Sequence, residues 1–399
     1  MRLRDKVAVV TGSTRGKGKK IIQKPISQVF SKGVQKKEGA MTDKMKVFLV
    51  VLLGAVILFP LCVCADEAFV DKSKLPKIIT LTSYPMGAHG GFLATTFSDA
   101  IEKKTGIKVR PLPADADLGR FLPVKAGEAE AAVVSGGTVH VASNGLLEFS
   151  SPQWGPQKIR LVFAGDVMPH GMAVRASSGI KTWDDLKGKR VAMAPGVFSI
   201  TTPGFLAYGG LTLDDVVVRK ASGYTTAVRM VMSDGADACH VTPLSPLLKE
   251  WEAAPYGLRY LPFDPENKAG WERMRKIAPF LAVPVWVEKH ALGEGGPKWL
   301  CYYPYTIATY DTADEYVIYA IVKALVEGRD IYKGTKPPST EQFTLERTLS
   351  KDMPVYVPFH PGLIRYAKEV GKWTPELEAR QAESLKAEEE RIKNWKAKQ

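Results

Sequence analysis

Ser83, Tyr84, Met86, His89, Gly90 and Gly91 stand at and just beyond the β-prone stretch Ile78 to Ser83. Hydroxyl, phenol and imidazole donors beside two adjacent glycines form a set suited to gripping a carboxylate, because glycine lets the backbone approach closely and helix N-termini offer free N–H groups. Ser135, Gly136, Gly137 and Thr138 repeat the arrangement after Glu130 to Gly137. Ser199, Thr201 and Thr202 precede Pro203, with Thr202 a candidate N-cap and Pro203 the first helical position. Tyr224 and Thr225 open a further helical stretch, and His240 and Thr242 follow a strand-like segment. His240 is read either as a ligand contact or as a core histidine with its hydrogen bonds met.

These groups are neutral donors, better suited to holding an acid than to transforming it. After residue 65 there is no GxSxG, HExxH, GxxxxGK[ST] or zinc-spaced Cys/His cluster, and the histidines at 89, 140, 170, 240, 290 and 360 are dispersed. Asp184-Asp185 and Asp214-Asp215 precede helices and are read as solvated caps. No catalytic residue, metal or cofactor is expected.

The elements that would position these donors alternate between strand and helix. Ile78 to Ser83, a helix over Phe92 to Lys104 closed by Thr105-Gly106, Ile107 to Pro113, Leu118 to Ala126 ending at Gly127, and Glu130 to Gly137 give a βαβαβ half-domain. A second round runs from Ile159 through Asp185 to Pro195, Tyr224 to Met232 and Ala236 to Ser245. Phe280 to Val287 and Tyr305 to Thr309 are expected to bring the chain back to the first lobe. The helix over Ala313 to Glu327 takes Asp311 or Thr312 as its cap, and a charged solvated helix follows Trp373. Two open α/β units place a ligand at strand ends in the crevice between them. The expected fold is therefore an α/β two-lobe clamshell: 66–170 as lobe 1, 171–280 as lobe 2, 281–372 as crossover and return, and 373–399 as the terminal helix.

Charge and targeting concern the first part of the chain. The net charge of +13 is concentrated upstream: residues 1–65 carry 13 basic and 3 acidic side chains, and the remaining 42 and 39 nearly balance. No single-sign face is left to track a nucleic acid. The uncharged run Val47 to Ala65, preceded by Lys44 and Lys46 and ending in Val63-Cys64-Ala65, has the pattern of a cleaved signal peptide within 41–65, with membrane anchoring as the alternative. Either exports the chain, and the expected location is the periplasm. Cys239 and Cys301 remain beyond it and are read as two buried thiols, pairing being left open.

Residues 3 to 18, LRDKVAVVTGSTRGKG, resemble the first strand and glycine loop of short-chain dehydrogenases through Thr11-Gly12-x-x-x-Gly16-x-Gly18. Pro25 interrupts the helix that should follow, and no βαβ unit is completed before the export signal. Tyr319 and Lys323 match that family's YxxxK spacing on an ordinary amphipathic stretch, a chance match. Residues 1–40 are read as a spurious or remnant leader.

From about Lys77 to Trp373 the chain resembles TAXI-type solute receptors of tripartite ATP-independent periplasmic (TRAP) transporters. The matching stretches are KAGEAEAAVVSGG, SGIKTWDDLKGKRVAM, SDGADACHVTP, DEYVIYAIVKALVEG and PFHPGLIRYAKEVG. Phe359 to Gly362 followed by Arg365-Tyr366 is the most particular of them. The resemblance implies a type II-like periplasmic-binding-protein clamshell that captures a small organic acid (a dicarboxylate, oxo acid or acidic amino acid) and delivers it to membrane permease subunits. The family's first loop usually carries a Gly-Thr-Tyr-Tyr-Pro cluster where this chain has SYPMGAHGG, so the acid stays open. An enzyme on the same fold and a ligand-binding sensory domain are the rivals.

Overall fold

In the first lobe, β1 (Ile78–Ser83), α1 (His89–Thr105), β2 (Lys108–Pro113), α2 (Asp117–Lys125) and β3 (Ala131–Ser135) follow in the expected alternation and lead into α3 (Gly136–Asn144). The computed structural model describes residues 69–399 apart from 166–167, 288–297, 336–337, 354 and 356. The leader at 1–40 and the signal at 41–65 lie outside the described residues. β1 sits between β2 and β3 and runs parallel to both. α1 holds against this sheet because Leu93, Phe97 and Ile101 recur every fourth residue on one buried face. It stops at Gly106, whose φ of 69° reverses the chain.

After β4 (Ile159–Gly165) the chain leaves the first lobe. The second contains β5 (Pro169–Arg175), β6 (Arg190–Met193), α4 (Phe198–Tyr208), β7 (Val217–Lys220), α5 (Tyr224–Met232), β8 (Ala238–Val241), α6 (Pro246–Ala253), β9 (Leu258–Tyr260), α7 (Lys268–Ile277), β10 (Ala282–Val287) and β11 (Lys298–Tyr302). Its seven-stranded sheet has the order β10-β11-β5-β8-β6-β7, with β9 also on β5. The chain returns through Tyr303 and Pro304 into β12 (Tyr305–Tyr310), which enters the first sheet between β3 and β4 and runs antiparallel to both. That sheet has five strands, β2-β1-β3-β12-β4. Then come α8 (Glu315–Glu327), α9 (Arg329–Tyr332), α10 (Leu345–Leu349), α11 (Pro361–Glu369) and α12 (Pro375–Lys396). Two mixed sheets joined by two crossings make the two-lobe α/β clamshell expected from the sequence.

Four local readings are corrected. Phe280 to Val287 does not return to the first lobe, because β10 pairs with β11 and β11 with β5. Asp314, not Asp311 or Thr312, caps α8, its side chain accepting from Val317 N. Thr202 is not an N-cap: α4 already begins at Phe198, and Pro203 lies inside it, leaving the Ser199 carbonyl without an intrahelical N–H. The terminal helix is more than a solvated tail. Gln381 donates to Phe359 O at 3.1 Å and accepts from Phe359 N at 2.7 Å, so α12 is fastened to the first lobe through a side-chain copy of a peptide pair.

Candidate functional site

The lobes meet directly. Ser245 Oγ donates to Gly87 O at 2.6 Å, Leu247 N approaches the same oxygen at 3.3 Å, and His89 Nδ1 lies 3.3 Å from Leu244 O. Thr225 Oγ1 lies 3.4 Å from Asp115 Oδ1. Deepest of these links, Val197 N at the start of α4 donates to Asp117 Oδ2 at 3.1 Å. A helix N-terminus of one lobe is thus met by a carboxylate of the other, the arrangement the partial positive charge there favours.

On the first lobe, Tyr84, Ser135 and Thr138 are brought together. Tyr84 Oη lies 3.1 Å from Thr138 Oγ1, Ser135 Oγ caps α3 by accepting from Thr138 N at 3.0 Å, and Thr138 Oγ1 donates to Asp117 Oδ1 at 3.0 Å. Asp117 is also paired with Arg120, whose guanidinium stacks on the Tyr84 ring at 3.7 Å and donates to Ala114 O at 2.7 Å. Burial works against the Arg120 charge, yet Tyr84, Asp117 and Tyr305 together hold its pKa above the usual value. The Arg120 Nε–H is buried without an acceptor. Nearby, burial and the Asp117 charge push Glu148 up to about 7.

Asp117 and Arg120 were not among the expected site residues. Periodicity places Leu118 to Arg120 in the first turn of a short helix, with Asp117 just ahead of it. The available signal was an acid and an arginine three apart where a strand turns into a helix, the arginine beside the apolar Phe121.

Gly90 and Gly91 lie inside the first turn of α1 rather than in a loop. A Cβ on Gly90 would come within 2.3 Å of the Tyr84 ring, and one on Gly91 within 2.3 Å of Pro85 O. Their absent side chains serve packing around Tyr84. His89 is buried beside them, edge-on to Tyr305 at 5.4 Å. Gly136 N donates to Pro304 O at 2.7 Å, tying α3 to the return crossing. The Ser83 hydroxyl donates to its neighbour's carbonyl, Tyr84 O, at 3.1 Å. Met86 is 59% exposed, its sulfur accepting from Thr95 Oγ1, and stands apart from the cluster.

On the second lobe, His240 has partners on both ring nitrogens. Nδ1 lies 2.7 Å from Thr201 Oγ1, and Nε2 lies 3.0 Å from His170 Nδ1. Burial drives the His240 pKa down to about 3. Tyr303, at the return crossing, stacks on His170 at 3.7 Å, and Phe198 lies edge-on to His240 and stacked on Tyr224. Tyr224 Oη lies 3.5 Å from Thr242 N, and Thr242 Oγ1 donates to the Met168 sulfur at 2.8 Å. Ser199 is half-buried, its Oγ donating to Ala194 O at 3.4 Å. Thr202 Oγ1 and His170 Nε2 are buried and unpartnered.

A family profile described as NMT1/THI5 like matches residues 156–245, from just before β4 through much of the second lobe. No curated protein matches the chain. Among solved structures, a protein of Bordetella bronchiseptica RB50 is similar over 74% of this chain and 98% of its own, at 15% identity and a TM-score of 0.47. The alkanesulfonate-binding protein SsuA from Xanthomonas axonopodis pv. citri, bound to MOPS, is 14% identical over 78% of this chain and 90% of its own, with a TM-score of 0.42. PhnD1 from Prochlorococcus marinus (MIT 9301), in complex with methylphosphonate, is 9% identical over 75% of this chain and its full length, with a TM-score of 0.43.

Among the described residues no group of three or more His, Cys, Asp or Glu side chains could hold a metal ion, and no helix is long and apolar enough to cross a membrane. Cys239 and Cys301 are separate buried thiols, the latter donating to His170 O at 3.3 Å. Tyr319 and Lys323 share the carboxylate of Glu369 where α8 meets α11, at 2.6 and 3.0 Å.

Proposed function

We propose that the protein is an exported solute receptor that closes its lobes on a small organic acid (a dicarboxylate, oxo acid or acidic amino acid) and hands it to a TRAP-type permease. The observation that carries this reading is Arg120: a buried cation at the lobe junction, stacked on Tyr84, with one N–H that nothing among the described residues accepts. An unmatched buried donor costs about 1–3 kcal/mol, which an arriving carboxylate oxygen would offset. Tyr84, Ser135 and Thr138 supply further donors from the first lobe. The start of α4, whose Val197 N meets Asp117, would bring Ser199, Thr201 and Thr202 from the second. A ligand touching both sets binds the closed state better than the open one and so shifts the equilibrium toward closure. Delivery to a TRAP permease rests on the resemblance of the HPG segment at His360 to Gly362 and its neighbouring stretches.

A thermal-shift screen of the full chain against dicarboxylates, oxo acids and acidic amino acids tests the reading. A ligand at 100 times its Kd adds about 2.7 kcal/mol, a rise of roughly 5 °C for a protein of this size. The hit should be recovered chemically unchanged, and Arg120→Gln should abolish the shift. Absence of any shift across the acids refutes the ligand class, and turnover of the hit favours an enzyme on this fold.

A further inference from the structure

A cavity of about 170 Å³ lies where α3, the terminal helix α12 and the second lobe converge, with Gly136, His140 and Asn144 on one side, Arg391 on another and Phe280 closing it. One water needs only about 10–15 Å³ by this measure, so the space admits a larger guest. Among the described residues its cation has no partner, and its other polar side chains, Ser143, Asn144 and His140, are neutral. Arg391 Nε and Nη2 are buried and make no hydrogen bond. The acid one turn earlier on the same helix, Glu388, has both oxygens engaged by Arg160 at 2.7 and 3.0 Å.

His140 adds an imidazole to the lining. The Asn144 side-chain nitrogen donates to His140 O at 2.8 Å and lies 3.4 Å from both Ser143 Oγ and His140 Nδ1; with Nδ1 accepting, the imidazole proton sits on Nε2 and is available to an anion. No residue lining the cavity is acidic, while Val139, Val355, Val357 and Phe280 supply apolar walls. Burial and the Arg391 charge both depress the His140 pKa, so the imidazole faces a cation across the cavity.

We propose that this cavity is a second anion site, distinct from the junction around Arg120, that takes a small oxyanion on Arg391 and His140. The shared chemistry is a compact group with acceptor oxygens, either a carboxylate or a phosphate. Because Phe280 belongs to the second lobe and Arg391 to the first, an occupied site is complete only with the lobes together, and its occupancy is coupled to closure. The inference stands whether or not the junction binds an organic acid.

Isothermal titration of the full chain in low-salt buffer tests it with two probes, acetate and inorganic phosphate. Saturable binding of either is expected, and which one binds identifies the source of the oxyanion. Arg391→Met should weaken that binding at least 10-fold and His140→Phe several-fold. His140→Phe keeps the ring against Phe280 and serves if Arg391→Met does not fold. Failure of both probes to bind, or equal affinity in the Arg391 and His140 variants, overturns the proposal. A loss seen only in Arg120→Gln also overturns it and assigns the binding to the junction.

Discussion

Asp117 and Val197 belong to different lobes, yet the carboxylate of the first accepts the backbone N–H of the second at 3.1 Å. The same carboxylate holds Arg120 and accepts from Thr138. One acidic side chain therefore neutralises the buried cation of its own lobe and occupies the N-terminus of the opposing helix. Asp117→Asn removes both roles. It should lower unfolding stability by about 3–5 kcal/mol, the cost of breaking a buried pair, and should enlarge the radius of gyration of the ligand-free protein in small-angle scattering. A loss of stability with an unchanged radius would show that Asp117 serves its own lobe only.

The alternation of strand and helix was legible because it is written in local periodicity: Leu93, Phe97 and Ile101 mark α1, and the apolar runs of β3 and β12 mark strands buried on both faces. Tyr84, Ser135 and Thr138 were also legible, since strand ends in such sheets converge. What periodicity cannot carry is which strand pairs with which. β10 has the composition of any buried strand, and only its pairing with β11 assigns it to the second lobe. Asp117 and Arg120 escaped for a related reason. A charged pair three apart on a helix is ordinarily a surface pair, and only tertiary burial turns it into part of the junction. Adjacent glycines suggest a turn and set the expected helix start at Phe92, whereas the helix begins at His89 and tolerates Gly90 and Gly91 so that Tyr84 can pack against it.

Two buried histidines and a half-buried carboxylate give opposite pH signatures. His240 is held at about 3 by burial, below its ordinary value of 6.5, and burial with the nearby His240 and His89 holds His170 well below it too. The unfolded chain then takes up protons first, so their contribution is complete above pH 6.5 and is lost as pH falls toward 3, at up to about 1.4 kcal/mol per pH unit for each group. Glu148 is raised from 4.5 to about 7, so its contribution is present below pH 4.5 and is lost as pH rises through 7. Urea unfolding between pH 4 and 8 should show His240→Asn with a shallower acid limb, and Glu148→Gln more stable than wild type at pH 8 but not at pH 4. Parallel curves for all three proteins would refute both assignments.

Arg160 and Glu388 lie 228 residues apart in sequence and form a two-point ion pair with 8% and 5% of their side chains exposed. The pair fastens α12 to β4, so the helix is part of the first lobe despite its charged composition. Glu388→Gln should destabilise the protein by about 3–5 kcal/mol, because it leaves the Arg160 charge buried without a partner. Arg160→Met combined with Glu388→Leu should cost markedly less than the sum of the single changes, as expected for coupled residues. Additive losses in chemical unfolding would mean that the two side chains do not act as a pair.

Gly137 offers a way to separate lobe closure from stability of either lobe. A Cβ there would meet Val197 Cγ2 at 2.5 Å and the Phe280 ring at 2.9 Å, and both neighbours belong to the opposite lobe. At Gly87, also on the junction, a Cβ would meet Thr225 Cγ2 at 3.6 Å, an ordinary contact. Within α3 alanine is itself favoured over glycine by about 1 kcal/mol, so the first lobe gains from Gly137→Ala and only the junction loses. The variant should therefore keep the melting temperature of the ligand-free protein within a few degrees, show a larger radius in scattering, and bind its acid at least 10-fold more weakly, since the bound state must hold the lobes together. Gly87→Ala should bind as the wild type does. Equal affinity in the two variants would mean that the bound state does not bring Gly137 against Val197, and the closed junction would then not be the form that holds the ligand.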